Sequence, residues 1–252
     1  MKQYIDDIFC YCDHWCARCP FTARCAVFAG LQLQPGADPA SPEFWEAALA
    51  HFAATQPGLA ECVSFAVEVR TPAAEELELA RQRQERIDAH LDAEPLMQQV
   101  GSWQAQLLSL MEDTPYWQRL AQAAASEAAL GLRSAREAMR EAERVTGCLH
   151  ALRRWAGVAA DRLAAALVRD IDDAEALAAG APEGLAKAAL VCLDGSREAL
   201  AELYGIFADE DRLLPLFTTL ATLERSVNEY FPAARAFVRP GFDEAGCLRA
   251  AG

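Results

Sequence analysis

Apolar residues recur three and four positions apart along most of the chain, the period of a helix with one buried face. The clearest run is Leu213, Leu216, Leu220, Leu223, Val227 and Tyr230, closed by Phe231-Pro232. A second, Leu96, Val100, Trp103, Leu107 and Leu110, is opened by Pro95, a residue suited to a first helical turn. Thr114-Pro115 opens another helical stretch. The pattern then runs through Ala138, Ala142, Val145, Leu149, Leu152 and Ala156, with Gly131 as its natural interruption. Leu163, Leu167 and Ile171 continue the stripe past Gly157, so one long helix is expected to about Leu177. Ala179-Gly180-Ala181-Pro182 reads as a helix–helix turn. Leu185, Ala189, Cys192, Leu200, Leu203 and Phe207 mark the next helix, in which Asp194-Gly195-Ser196 reads as a break or cap.

Nearer the start the pattern is thinner. Thr71-Pro72 opens a strongly charged helix to about Leu91, whose narrow stripe of Leu77, Ala80, Ile87 and Leu91 predicts an outside position. Ser41-Pro42 caps a helix carrying Phe44, Trp45, Ala48, Leu49 and Phe52, broken by Pro57-Gly58, and a further helix is expected over 59–69. Residues 30–42, with Gly30, Pro35, Gly36, Pro39 and Pro42, read as a linker. The expected fold class is therefore all-α: a helical bundle of about six to eight helices with a short cysteine-rich N-terminal metal-binding unit. The division reads as a cysteine-rich segment and linker over 1–40, the bundle over 41–231, and a tail over 232–252 packed on it through Phe237 and Phe242.

Composition narrows the function more than the fold. The 252 residues are 53% hydrophobic and 24% charged, as in an ordinary globular protein with a sizeable core. A net charge of −14 with no concentrated basic patch argues against nucleic acid and against anionic membrane surfaces as partners. No uncharged apolar run of about 18 residues predicts a membrane span. The opening Met-Lys-Gln-Tyr-Ile-Asp-Asp places acids where a secretory signal has its apolar segment, so a cytoplasmic location is expected. In that compartment nine cysteines point to metal ligation or buried thiols rather than disulfides.

Four of those cysteines, Cys12, Cys16, Cys19 and Cys25, lie within one short stretch. Ile5, Phe9, Cys12, Cys16 and Cys19 follow a 4-3-4-3 spacing, which predicts a helix with three thiols on one face. Pro20 turns the chain, and Thr22 can cap a second short helix that carries Cys25 back. Cys10 falls off that face and is left out of the site. Four thiolates suit an iron–sulfur cluster, [4Fe–4S] in type, with Trp15 and Phe21 as shields and Arg18 and Arg24 offsetting its negative charge. The rival is one structural zinc ion on the same four cysteines, with His14 able to replace one. The bland alternative is a set of buried thiols at apolar helix positions. The triplet of cysteines 12, 16 and 19 also matches the cluster motif of radical SAM enzymes. Those need a β/α barrel, whose alternating strands are absent from this pattern, and Arg18 stands where they carry an aromatic residue.

Both ends of the chain resemble one family. The opening Cys12-Asp-x-Trp-Cys16-x-x-Cys19-x-Phe-Thr-x-Arg-Cys25 and the closing Phe231-Pro-x-Ala-Arg-x-Phe-x-Arg-Pro-Gly-Phe-Asp look like those of uncharacterised bacterial cysteine-rich helical proteins. The resemblance supplies no activity. It implies that the two ends belong to one unit.

Other candidates fall to simpler readings. Cys62, Cys148 and Cys192 sit in apolar helical patterns and are expected in the core, and Cys247 lies in the tail. A di-iron carboxylate bundle needs Glu-x-x-His pairs, and Ile87 and Gly147 stand where His90 and His150 would need glutamates. Glu85, Asp88, Glu137, Glu141 and Glu143 are expected on solvated faces. Arg235 and Arg239 are expected to meet the acidic bundle rather than an anionic ligand. No nucleophile elbow, phosphate loop or dinucleotide fingerprint is present. The sequence thus favours an iron–sulfur protein that transfers electrons or senses redox state, with a redox or protein partner. A zinc-stabilised interaction module is the alternative. An enzyme with its substrate beside the cluster is a third reading, without an acid–base pair to support it.

Overall fold

The computed structural model describes residues 4–32, 73–168 and 181–243. Among these the chain is all-helical, with seven α-helices and no strand. In chain order they are α1 (Ala26–Gln32), α2 (Ala74–Ala93), α3 (Pro95–Glu112), α4 (Thr114–Ala129), α5 (Ala135–Val168), α6 (Pro182–Phe207) and α7 (Glu210–Tyr230). They divide between two compact units, Met1–Asp88 with Phe237–Gly252, and Ala89–Ala236. The helices expected over 41–57 and 59–69, and the stripe beyond residue 168, lie outside the described residues. No described helix is long and apolar enough to cross a membrane.

The second unit is built on the stripes that the sequence displays. Leu96, Val100, Trp103, Leu107 and Leu110 of α3 are all buried, and so are Leu213, Leu216, Leu220, Leu223 and Val227 of α7. They join Leu152 and Leu163 of α5 and Leu190, Leu193, Leu200 and Leu203 of α6 in one core. Helix α5 packs along α6 and against α3, while α7 packs against α3 and α6. Each fully buried leucine contributes about 1.5–3 kcal/mol, so this core dominates the unit's stability. Cys148 and Cys192 lie in it, as expected.

The breaks between helices are local chemistry. Asp113 ends α3 and caps α4, its Oδ1 accepting the Tyr116 N–H at 3.1 Å. Gly131, at φ +72°, closes α4 where a side chain would be strained. Ser134 and Glu137 then form a reciprocal box that starts α5: the Ser134 N–H donates to Glu137 Oε2 at 2.8 Å, and the Glu137 N–H donates to Ser134 Oγ at 3.2 Å. Past Gly157 the helix is continuous, giving 34 residues.

Asp194-Gly195-Ser196 is not a break. It lies inside the unbroken α6, where Ser196 Oγ donates its hydrogen to the Cys192 carbonyl at 2.8 Å. Gly195 has a packing role instead. A Cβ there would stand 2.9 Å from the Trp155 ring of α5, so the glycine admits the indole. Asp194 pairs with Arg235 at 2.6 Å, and Lys187 donates to the Arg235 carbonyl at 2.7 Å, which fixes the turn Ala234–Ala236 on α6.

The first unit has another texture. As expected from its thin stripe, α2 buries Ile87 but exposes Leu77 and Leu79. Described residues from both ends of the chain fall in this unit. Phe237 and Phe242, expected to strap the tail to the bundle, have as ring partners Tyr11 and Phe21 of the cysteine-rich segment, each at 5.1 Å between centroids. Arg239 pairs within the tail, with Asp243 at 2.8 Å, rather than with the helices.

Candidate metal centre

The segment 4–32 is not the helix that its 4-3-4-3 spacing predicts. It is a chain of short 3₁₀ turns, Ile8–Cys10, Cys16–Arg18 and Thr22–Arg24, followed by α1. Asp7 and His14 both adopt φ 54°, in the left-handed region that an ordinary helix excludes. Around His14 the bend is held by Asp13, whose Oδ1 accepts the Trp15 N–H at 2.9 Å. Cys19 and Cys25 each close a 3₁₀ turn in extended conformation. The Ile5 N–H donates to the Arg24 carbonyl at 3.0 Å and ties the segment's beginning to its end.

These bends bring all four sequence-selected cysteines to one place. Cys12, Cys16, Cys19 and Cys25 line a single small cavity with Ile8, Phe9, Trp15, Phe28 and Phe242, and Asp13, His14 and Thr22 complete its wall. The space between them is about 20 Å³, roughly one water-sized sphere. All four are partly buried and none is in a disulfide. Cys10 is buried and does not line the cavity.

Two of the sulfurs already accept backbone hydrogen bonds of the kind thiolates use. The Phe21 N–H donates to Cys19 Sγ and the Phe28 N–H to Cys25 Sγ, both at 3.4 Å. The Cys12 thiol donates to the Phe9 carbonyl at 3.4 Å. Burial pushes the Cys19 thiol up, the Phe21 N–H draws it down, and neighbouring Cys16, Asp13 and Cys25 push it up again. The last effect is like-charge repulsion among neighbouring groups, which a bound cation would offset. Among the described residues no set of three or more His, Cys, Asp or Glu is placed to hold a single metal ion as it stands. The four thiols share a wall without meeting at one point. Their chemistry, four sulfur donors on a wall that is otherwise mostly apolar and aromatic, fits a thiolate-bound centre.

Of the shields expected from sequence, Trp15 lines the cavity and carries the Arg18 guanidinium 4.5 Å from its ring centroid. Phe21 contributes its N–H rather than its ring to the site. Ile8, Phe9 and Phe28 escape sequence reasoning because they look like ordinary core residues. Phe242 escapes it because it comes from the other end of the chain. No family model, curated protein or solved structure matches the chain.

Proposed function

We propose that Cys12, Cys16, Cys19 and Cys25 hold an iron–sulfur cluster of the [4Fe–4S] type, and that this cytosolic helical protein uses it to transfer electrons or sense redox state. The observation that carries the reading is that four cysteines, brought together by the bends of the segment, line one cavity whose other walls are mostly apolar and aromatic. Two backbone N–H donors already aimed at sulfur support it, because such donors and exclusion of water tune a cluster's potential. The cluster supplies one-electron chemistry when bound. The four cysteines would ligate it, and the aromatic wall and Arg18 would shield it and set its electrostatic surroundings.

A second reading, a protein-interaction module with a structural four-cysteine zinc site, is favoured by one observation: the space of about 20 Å³ is closer to one ion than to a cube of eight atoms. Purification without oxygen, a visible spectrum, and assays of iron, sulfide and zinc separate the two. The cluster reading expects broad absorption near ~400 nm with about four irons and four sulfides per chain. A colourless protein with about one zinc per chain overturns it in favour of the zinc module.

A further inference from the structure

We infer that Phe242 is a positioning residue of the proposed centre, so that docking of the C-terminal turn and retention of the metal are linked. The inference rests on the reading of the four cysteines as metal ligands. Its ground is a short path of contacts inside one unit. Phe242 lines the same cavity as the four sulfurs. Its ring meets that of Phe21 edge to face, at 5.1 Å and 84°. The N–H of that same Phe21 donates to Cys19 Sγ. The tail therefore touches the site twice, as a wall against water and as a brace for a donor to one of its sulfurs.

The tail is shaped for this placement. Arg239-Pro240-Gly241-Phe242 is a tight turn closed by the Phe242 N–H donating to the Arg239 carbonyl at 3.1 Å. Gly241 takes φ +76°, and a Cβ there would meet Ile5 at 2.9 Å and Ile8 at 3.1 Å. Ile8 is itself part of the cavity wall. The Arg239 guanidinium lies 5.0 Å from the Phe242 centroid and is held by Asp243 at 2.8 and 3.0 Å. The ring is thus fixed by its backbone, by a cation over its face and by Phe21 at its edge. Solvent exposure and hydrogen bonds to sulfur both govern cluster potential and stability, and Phe242 acts on each. Linkage makes the effect mutual: if the docked tail favours the loaded site, the loaded site favours the docked tail by the same factor.

The test uses the full chain as Phe242→Ala and as Phe242→Leu, which keeps most of the volume. In metal-stripped protein, alkylation by iodoacetamide is followed at each cysteine by mass spectrometry. In protein as isolated, loss of iron and zinc to a chelator is timed. Phe242→Ala is expected to raise both rates about tenfold or more, at Cys19 but not at buried Cys148, and Phe242→Leu to restore most of the difference. Wild-type rates in Phe242→Ala overturn the inference, and so does an equal rise at Cys148, which marks general unfolding. A wild-type protein without iron, sulfide or zinc overturns the metal reading itself, while the alkylation rates still decide whether Phe242 positions Cys19.

Discussion

The helical unit and the cysteine-rich unit are held together by different means. In the first, long helices repeat one interaction: α3 and α7 each place five residues of a single stripe in the core. In the second, no described stretch of comparable length does so. Three 3₁₀ turns, two left-handed residues and a tail turn are joined by ring pairs, single hydrogen bonds and the four cysteines. A core of leucines tolerates the loss of a polar contact and is weakened by a cavity. A segment of turns buries less apolar surface, and if its cysteines hold a metal, that binding adds directly to its stability. The difference teaches where each kind of damage should appear.

The largest effect is expected in the helical core. Leu200→Ala removes a fully buried side chain and should cost about 2–5 kcal/mol in urea denaturation followed by circular dichroism, with metal per folded chain unchanged. Cys16→Ser should do the reverse, stripping the centre while leaving that transition in place. A metal-free Leu200→Ala protein, still folded, would break the comparison. Gly195→Ala comes next. Its methyl group meets the Trp155 ring at 2.9 Å, and the indole must move, at a cost of about 1–3 kcal/mol by the same assay. In the other unit, Gly241→Ala combines a left-handed residue with a clash against Ile5. It should cost about 1–2 kcal/mol locally, read as faster hydrogen exchange at the Phe242 N–H that closes the turn, with the helical transition unmoved.

The smallest effect is a slope. Glu224 of α7 is nearly buried and pairs with Arg197 at 2.7 Å. Burial pushes its carboxyl above the ordinary 4.5, Arg197 and Arg235 draw it down, and Asp194 pushes it up. A carboxyl raised on folding gives stability that is complete below its unfolded value and is lost as pH rises through its folded value. Glu224→Gln should therefore flatten the stability profile above pH 4.5, measured by urea denaturation across pH 4 to 8. An unchanged profile would show that the neighbouring arginines cancel the burial.

These expectations follow how legible each region is in the sequence. The helical stripes can be read directly, because burial on one face forces a 3.6-residue period. Gly131 as an interruption is legible for the same reason. Asp194-Gly195-Ser196 misleads because a glycine inside a helix looks like a break until Trp155, distant in sequence, is seen to fill the space above it. The cysteines mislead in conformation: the four line one cavity, but not from a helix. Their spacing imitates a helix, but Asp13 and His14 bend the chain locally, and Pro20 turns it again. The helical face on which the grouping and the omission of Cys10 rest is not formed; the bends at Asp13, His14 and Pro20 bring the four cysteines to one cavity instead. The cover over the site is not legible, since ring contacts between residues 21 and 242 leave no local trace.

The central claim is that Cys12, Cys16, Cys19 and Cys25 form one centre. The most direct measurement is iron, sulfide and zinc per chain in five serine variants, one at each of these positions and one at Cys10, purified without oxygen. The account predicts that each of the four abolishes or halves metal retention and that Cys10→Ser retains the wild-type content. Wild-type content in any of the four, or equal loss at Cys10, would contradict it.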